Sequence, residues 1–287
     1  MSTQISVIVL TRNEQENLPY LLRTLQGWAA DVFIVDSFST DSTVEIAGQF
    51  GAKVYRHEFE DYSKQRNWAI DNLPFRTEWT IFMDADEWLP PELKDEIAGV
   101  IASDPPESAF YLKWRLMWMG KWIKRGYYPN WILRLFRNGA ARFGPRGINE
   151  YLVTDGQAGY LRNDFIHEDR KGVGAWILKH NAYAEREARE LFRGEQNSQV
   201  APKLFGDPYQ QRRWLRYRFY NRMPLILRGG VYFLFRYILL GGFLDGREGF
   251  IYHFLHACWY RFLIDCRYLE MKREAANEKH KHMAARA

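Results

Sequence analysis

Residues 79–86 read WTIFMDAD, an apolar, β-favouring run that ends abruptly in two carboxylates, Asp84 and Asp86. The run predicts a buried strand, and its polar end marks where a core stops and a cleft begins. Alternate residues of an extended segment point to the same side, so both carboxylates can face one cation. Hard oxygen ligands of this kind suit Mg2+ or Mn2+, which also draws oxygens from a substrate phosphate. On its own, an Asp-x-Asp pair reads equally well as an acidic surface turn.

The same pattern of a strand followed by a polar cluster occurs twice upstream. ISVIVL (5–10) runs into Thr11-Arg12-Asn13-Glu14, and DVFIVD (31–36) runs into Ser37-Phe38-Ser39-Thr40-Asp41. Between these strands, Leu18, Leu21, Leu22 and Leu25 form the stripe of an amphipathic helix. Ser42 to Phe50 reads as a second helix, with Thr40 or Asp41 placed to cap it and Gly51 to end it. AKVYR is a third strand, SKQRNWAIDNL a third helix, and PPELKDEIAGVI a helix opened by proline. A βαβα series predicts an α/β fold with a mostly parallel sheet flanked by helices. Ligands of such a sheet bind at the carboxyl ends of its strands, where all three polar clusters fall.

The chain is 287 residues long, 47% apolar and 26% charged, which describes a folded protein. A net charge of +5 suggests an anionic partner: nucleic acid, a membrane surface or a phosphorylated substrate. Two cysteines, Cys258 and Cys266, make no disulfide framework and point to a reducing compartment. The opening MSTQISVIVL lacks a basic leader and reads as a first strand, not a secretion signal. No apolar stretch reaches the roughly 18 residues of a transmembrane helix.

Taken together, SVIVLTRNEQENLPYLLRTL, VDSFSTDSTVEIA, SKQRNWAI and FMDADEW resemble, in order, the motifs of glycosyltransferase family 2. The nearest subgroup by these motifs is the lipopolysaccharide-core β-glucosyltransferases and related exopolysaccharide enzymes. The resemblance implies a GT-A catalytic domain and inverting transfer from a nucleoside diphosphate sugar, UDP-linked by preference. It assigns Thr11 and Glu14 to the donor's nucleoside pocket, Arg12 to donor binding, Asp36 to the base and Asp41 to support of that loop. Lys64, Arg66 and Asn67 would lie near the diphosphate. Asp84 would meet the ribose or the metal, and Asp86 the metal, Mn2+ or Mg2+, which acts as a Lewis acid on the leaving group.

Inversion needs one carboxylate to take the acceptor's proton. The subgroup carries it in a His-Glu pair, and the corresponding text is Gly147-Ile148-Asn149-Glu150, with Asn149 in place of the histidine. Glu150 is therefore the expected base, and Glu168 and Asp169 of FIHEDR are its competitors. His167 would ligate the metal or touch the diphosphate, or else serve as a structural hydrogen-bonding residue.

Downstream, AFYLKWRLMWM and WILRLFR read as longer aromatic strands, and Gly172 to Gly194 as a helix. The expected division is a catalytic domain over 1–201, with a donor half (1–105) and an acceptor half (106–201), then a basic aromatic helical region over 202–287. Gln210-Gln211-Arg212-Arg213-Trp214 also spells a motif of processive synthases, but it reads mainly as the start of that region. Pro208 to Leu244 holds seven arginines, ten aromatics and no acidic residue. Arginine stems that snorkel and aromatics at the headgroup boundary mark helices lying in an anionic membrane interface. The same helices would equally pack on the catalytic domain or form a homo-oligomer interface. Mixed arginine and aromatics also suit single-stranded nucleic acid, but no nucleic-acid module accompanies them.

These features lead to a transferase acting on a lipid-linked saccharide at the cytoplasmic face of the inner membrane, in lipopolysaccharide or surface-polysaccharide biosynthesis. The alternatives are a nucleotidyltransferase, which usually carries a glycine-rich phosphate loop that TRNEQEN lacks, and a non-catalytic membrane scaffold.

Overall fold

Strand formation begins where the apolar runs begin. The computed structural model describes residues 3–144, 151–193, 203–206 and 208–284, with side chains to residue 278. Two compact units are built from them. The first comprises Met1–Trp122 and Tyr128–Lys171, and the second Ile123–Tyr127 and Gly172–Ala287.

In the first unit, β1 (Thr3–Thr11) lies at the centre of a parallel group with β2 (Ala29–Asp36), β3 (Lys53–Arg56) and β4 (Trp79–Asp84), in the order β3-β2-β1-β4. Ile5, Val7, Ile8 and Val9 are fully buried because helices cover both faces of a parallel sheet. Those helices are α1 (Leu18–Leu25), α2 (Thr43–Gln49), α3 (Tyr62–Asn72) and, after the short β5 (Glu87–Trp88), α4 (Pro91–Ala102). The α1 stripe Leu18, Leu21, Leu22 and Leu25 is buried as its spacing predicts. Asp61 caps α3, accepting from the Lys64 backbone N–H at 2.8 Å.

Beyond β4 the sheet becomes mixed. β8 (Trp131–Arg137) pairs antiparallel with β4, and β6 (Ala109–Trp118) antiparallel with β8. β11 (Ala158–His167) returns parallel to β6, and β5 closes the edge antiparallel to β11. The short β7 (Lys121–Trp122) pairs with β6, and β9 (Ala141–Phe143) with β10 (Leu152–Thr154) forms a separate ribbon. The register sets Thr11 opposite Asp36 and Leu10 opposite Asp84, so the polar ends of β2, β1 and β4 stand side by side.

The second unit is helical: α5 (Gly172–Arg193), α6 (Pro208–Arg218), α7 (Leu227–Leu234), α8 (Gly246–His253) and α9 (Tyr260–Ala284). α5 and α9 pack through Ala184, Ala188, Tyr260 and Ile264. Beside this seam the buried Glu187 accepts from Tyr260 Oη at 2.7 Å and faces Arg216 at 3.3 Å and Arg261 at 3.5 Å. Burial alone would raise the Glu187 carboxyl, but these two guanidinium groups together hold it below its ordinary value.

Candidate active site

The loop after β1 and the loop after β2 are tied into one surface. Asp36 is fully buried. Its Oδ1 accepts from Thr11 Oγ1 at 3.0 Å and from Ser39 Oγ at 2.5 Å, and its Oδ2 from the Ser39 backbone N–H at 2.9 Å. Asn13 sits at φ 56°, a left-handed conformation that asparagine tolerates. There its backbone N–H reaches Ser39 Oγ at 2.9 Å, and its Oδ1 accepts from the Thr40 backbone N–H at 2.8 Å. Asp41 accepts from the backbone N–H groups of Gln15 and Thr43, at 3.2 and 3.0 Å, and so braces the same loop pair. Phe38 also holds a left-handed backbone, at φ 57°, and is 56% exposed at the loop's tip. Arg12 is exposed.

Three consecutive residues of α3 each fix a different element. Gln65 Nε2 donates to Ser37 Oγ at 3.1 Å. Arg66 Nη2 donates to Asp84 Oδ1 at 2.9 Å. Asn67 exchanges two 2.9 Å bonds with the backbone of Phe143 in β9. Lys64, on the exposed side of the helix, pairs with Glu60.

Asp84 is held from two sides. Besides Arg66, Arg134 Nη2 on β8 reaches its Oδ2 at 2.8 Å and Glu87 Oε1 at 3.0 Å. Glu87 Oε2 in turn accepts from the Asp84 backbone N–H at 2.7 Å. Burial would push the Asp84 carboxyl up, but Arg134 and Arg66 together hold it well below the usual carboxylate range. Burial raises Glu87, with Arg134 opposing and Asp84 reinforcing the rise. Asp84 nevertheless keeps a 36% exposed side chain, so one edge of its carboxylate faces out of the cluster.

Beside it, Asp86 Oδ2 stands 3.7 Å from His167 Nε2, and His167 Nδ1 stands 3.8 Å from Glu87 Oε1. His167 ends β11, and the residues after it fold back over the first loop. The Glu168 backbone N–H donates to the Asp86 carbonyl at 2.8 Å. Asn17 Nδ2 donates to Glu14 Oε2 at 2.9 Å and Asp169 Oδ1 at 3.0 Å, while its Oδ1 accepts from the Arg170 backbone N–H at 2.8 Å. Lys171 Nζ reaches Glu14 Oε1 at 2.7 Å, yet burial outweighs that cation and raises the Glu14 carboxyl. Glu168 pairs with Arg170. Glu150, with Asn149, lies outside the described residues.

A divalent cation can be tested against these residues. At ligand distances of about 2.0–2.2 Å, two ligands of one ion stand roughly 3–4 Å apart, and the Asp86–His167 pair has that spacing. Among the described residues no group of three histidine, cysteine or acidic side chains could hold such an ion. Any ion at this pair would have to draw its remaining ligands from a bound molecule, the usual habit of Mg2+ at phosphates.

Residues 6–167, more than half of the chain, match the family profile described as glycosyl transferase family 2. The chain belongs to that family. An uncharacterized glycosyltransferase of Rickettsia typhi (strain ATCC VR-144 / Wilmington) is 28% identical over 200 residues, covering 66% of this chain and 68% of that protein. One from Rickettsia bellii (strain RML369-C) is 32% identical over 206 residues, covering 67% and 69%. Among solved structures, S. aureus TarS (residues 1–349) aligns over 96% of this chain and 92% of its own at 16% identity, with a TM-score of 0.44. A family 2 member is a glycosyltransferase, which sets aside the nucleotidyltransferase alternative. The α/β sheet with its helical C-terminal region agrees with the GT-A expectation.

Four residues of this cluster were not singled out from the sequence: Arg134, Glu87, Asn17 and Lys171. A lone arginine within the apolar strand WILRLFR was the available signal for Arg134. Asn17 was hidden by its position as a helix cap, since its side chain makes no capping bond and is used by Glu14 and Asp169 instead.

Proposed function

We propose that this family 2 enzyme transfers a sugar, with inversion, from a UDP-linked donor to a lipid-linked saccharide at the cytoplasmic face of the cell membrane. The product would enter lipopolysaccharide or surface-polysaccharide synthesis. The observation that carries the donor half of this reading is the convergence at one sheet edge of Asp84, clamped by Arg66 and Arg134, with Asp86 and His167 beside it.

The joined loops of Thr11, Arg12, Glu14, Asp36 and Asp41 form the wall against which the nucleoside lies. Asp36 shapes that wall by fixing Thr11 and Ser39, because its own oxygens are engaged. The exposed edge of Asp84 meets the ribose. Arg66 and Asn67 line the diphosphate side, and Lys64 can swing from Glu60 to join them. Asp86 and His167 would hold Mn2+ or Mg2+, which supplies Lewis-acid neutralisation of the departing diphosphate. The acceptor hydroxyl oxygen attacks the anomeric carbon as the bond from that carbon to the β-phosphate oxygen breaks. Its proton passes to the Glu150 carboxylate, and the nucleoside diphosphate leaves with the bonding electron pair.

The test supplies UDP-, GDP- and ADP-sugars in turn, with Mn2+ and a lipid extract of bacterial membranes as acceptor source. The expected outcome is release of UDP, dependent on both the cation and the extract, and a glycolipid of inverted anomeric configuration by NMR. Retained configuration contradicts the mechanism, and release from no donor contradicts the donor assignment.

A further inference from the structure

The helix α7 has its amphipathic pattern inside out. It runs from Leu227 to Leu234 and continues through a π-helical turn, Phe235–Leu239. Leu227, Val231, Leu234 and Ile238, spaced four, three and four residues apart, form one stripe, and all four are exposed, from 46% to 64%. Leu239 and Leu244 extend the stripe around the corner that follows, at 74% and 61%. The charged residues of the same helix face inward. Arg228, 5% exposed, donates through Nε to both Asp265 oxygens at 2.8 and 2.9 Å. Arg236, 2% exposed, donates to the Gly126 carbonyl at 2.7 Å and contacts His256 Nδ1 at 3.0 Å.

This inward face is packed and fixed. A Cβ on Gly229 would stand 3.0 Å from the Cys258 carbonyl oxygen and 3.2 Å from the Phe262 nitrogen, so the helix approaches as closely as a glycine allows. A helix in water places its charges outward and its leucines inward. The reverse arrangement, over a continuous apolar surface, belongs to a helix whose outer solvent is not water.

The helix does not cross a bilayer by itself. Among the described residues no single helix is long and apolar enough; Leu227–Leu239 and the following helical run, Gly242–Glu278, reach that length and composition only together, across a 72° bend. Thirteen helical residues reach about 20 Å, against a hydrocarbon core of about 30 Å. Charge selects the lipid. Arg212, Arg218 and Arg222, just before the stripe, are exposed, and Pro208–Leu244 carries no acidic residue to oppose them.

We propose that the outward stripe of α7, with the corner at Leu239 and Leu244, seats the chain in the headgroup–acyl boundary of one leaflet of an anionic bilayer. Exposed arginines beside it engage lipid phosphates. This rests on the reading that the acceptor is lipid-linked, and it names the surface that brings the enzyme to that acceptor.

The experiment is flotation of the full-length chain with phosphatidylcholine vesicles, with and without phosphatidylglycerol, for the wild type and Leu234→Glu/Ile238→Glu. A milder pair, Leu234→Ser/Ile238→Ser, guards against a folding defect, and calorimetric UDP–Mn2+ binding reports the catalytic unit. The wild type is expected to float with phosphatidylglycerol vesicles. The Glu pair should partition about tenfold more weakly or worse, and the Ser pair in between, with nucleotide binding unchanged. Equal flotation of all three proteins overturns the proposal. So does a wild type that ignores both vesicles and is dimeric by light scattering while the Glu pair is monomeric, since the stripe then joins two copies. Loss of UDP binding in the wild type itself would contradict the donor reading, while the vesicle result still decides the seating surface.

Discussion

Arg134 Nη2 lies 2.8 Å from Asp84 Oδ2, joining the middle of β8 to the last residue of β4. The same nitrogen reaches Glu87 Oε1, and Glu87 returns a bond to the Asp84 backbone, so the circuit closes on itself. The buried Arg134 guanidinium, 6% exposed, stands between the two carboxyls and, with Arg66 on the far side of Asp84, offsets the cost of burying their charge. Arg134→Met keeps the volume and removes the charge. It is expected to destabilise the fold by about 3–5 kcal/mol in urea unfolding, the range for breaking a buried ion pair from one side. A loss under about 1 kcal/mol would show that the arginine is dispensable to the carboxylates and that the circuit does not fix the Asp84 loop.

Transfer and donor binding should separate at Glu150. Glu150→Gln is expected to leave nucleotide affinity unchanged while transfer falls roughly 10²- to 10⁴-fold, the usual weight of a general base. Glu168→Gln, by contrast, removes a carboxylate already paired with Arg170 and should lower transfer far less. Turnover numbers and calorimetric affinities of the two variants decide the matter. Wild-type transfer by the Glu150→Gln protein would move the base to the segment after β11.

Acid should weaken the helical unit through His253. Its ring is fully buried, and burial, with Arg236 nearby, pushes its pKa down to about 4. The folded state thus binds fewer protons than the unfolded one between about pH 6.5 and 4, and stability falls as the pH drops through that window. At pH 5 the expected loss from this group is about 2 kcal/mol relative to pH 7.5. The comparison is urea unfolding at both pH values for the wild type and His253→Leu. His256, also held well below its ordinary value by burial, contributes to both proteins. Identical pH dependence in the two proteins would exclude His253 as a source of acid sensitivity.

The parallel half of the fold was legible because each strand is an apolar run with a polar end, and α1 and α4 carry an unambiguous stripe or opening proline. The edge position of Thr11, Asp36 and Asp84 followed from the same text. The mixed half was not legible in its pairings. WILRLFR reads as a strand wherever it lies, but only its antiparallel register beside β4 brings Arg134 to Asp84. Lys64 reads from the sequence as a diphosphate neighbour, and its exposed pairing with Glu60, just before α3, leaves no trace in that motif. In α7 the arginines read as snorkelling outward. The fold turns Arg228 and Arg236 inward because Asp265, 37 residues downstream of Arg228, and the Gly126 carbonyl of a distant loop wait there. Partners so remote in sequence leave no local trace.

On the proposed reading, the carboxyl edge of β1, β2 and β4 binds a nucleoside diphosphate through a cation at Asp86. The most direct measurement is calorimetric titration of UDP, with Mn2+ and with EDTA, into the wild type and Asp86→Ala. Binding to the wild type is expected to vanish with EDTA and to be at least about tenfold weaker in the variant, which lacks one metal ligand. UDP binding of equal strength in both proteins and both buffers would contradict it.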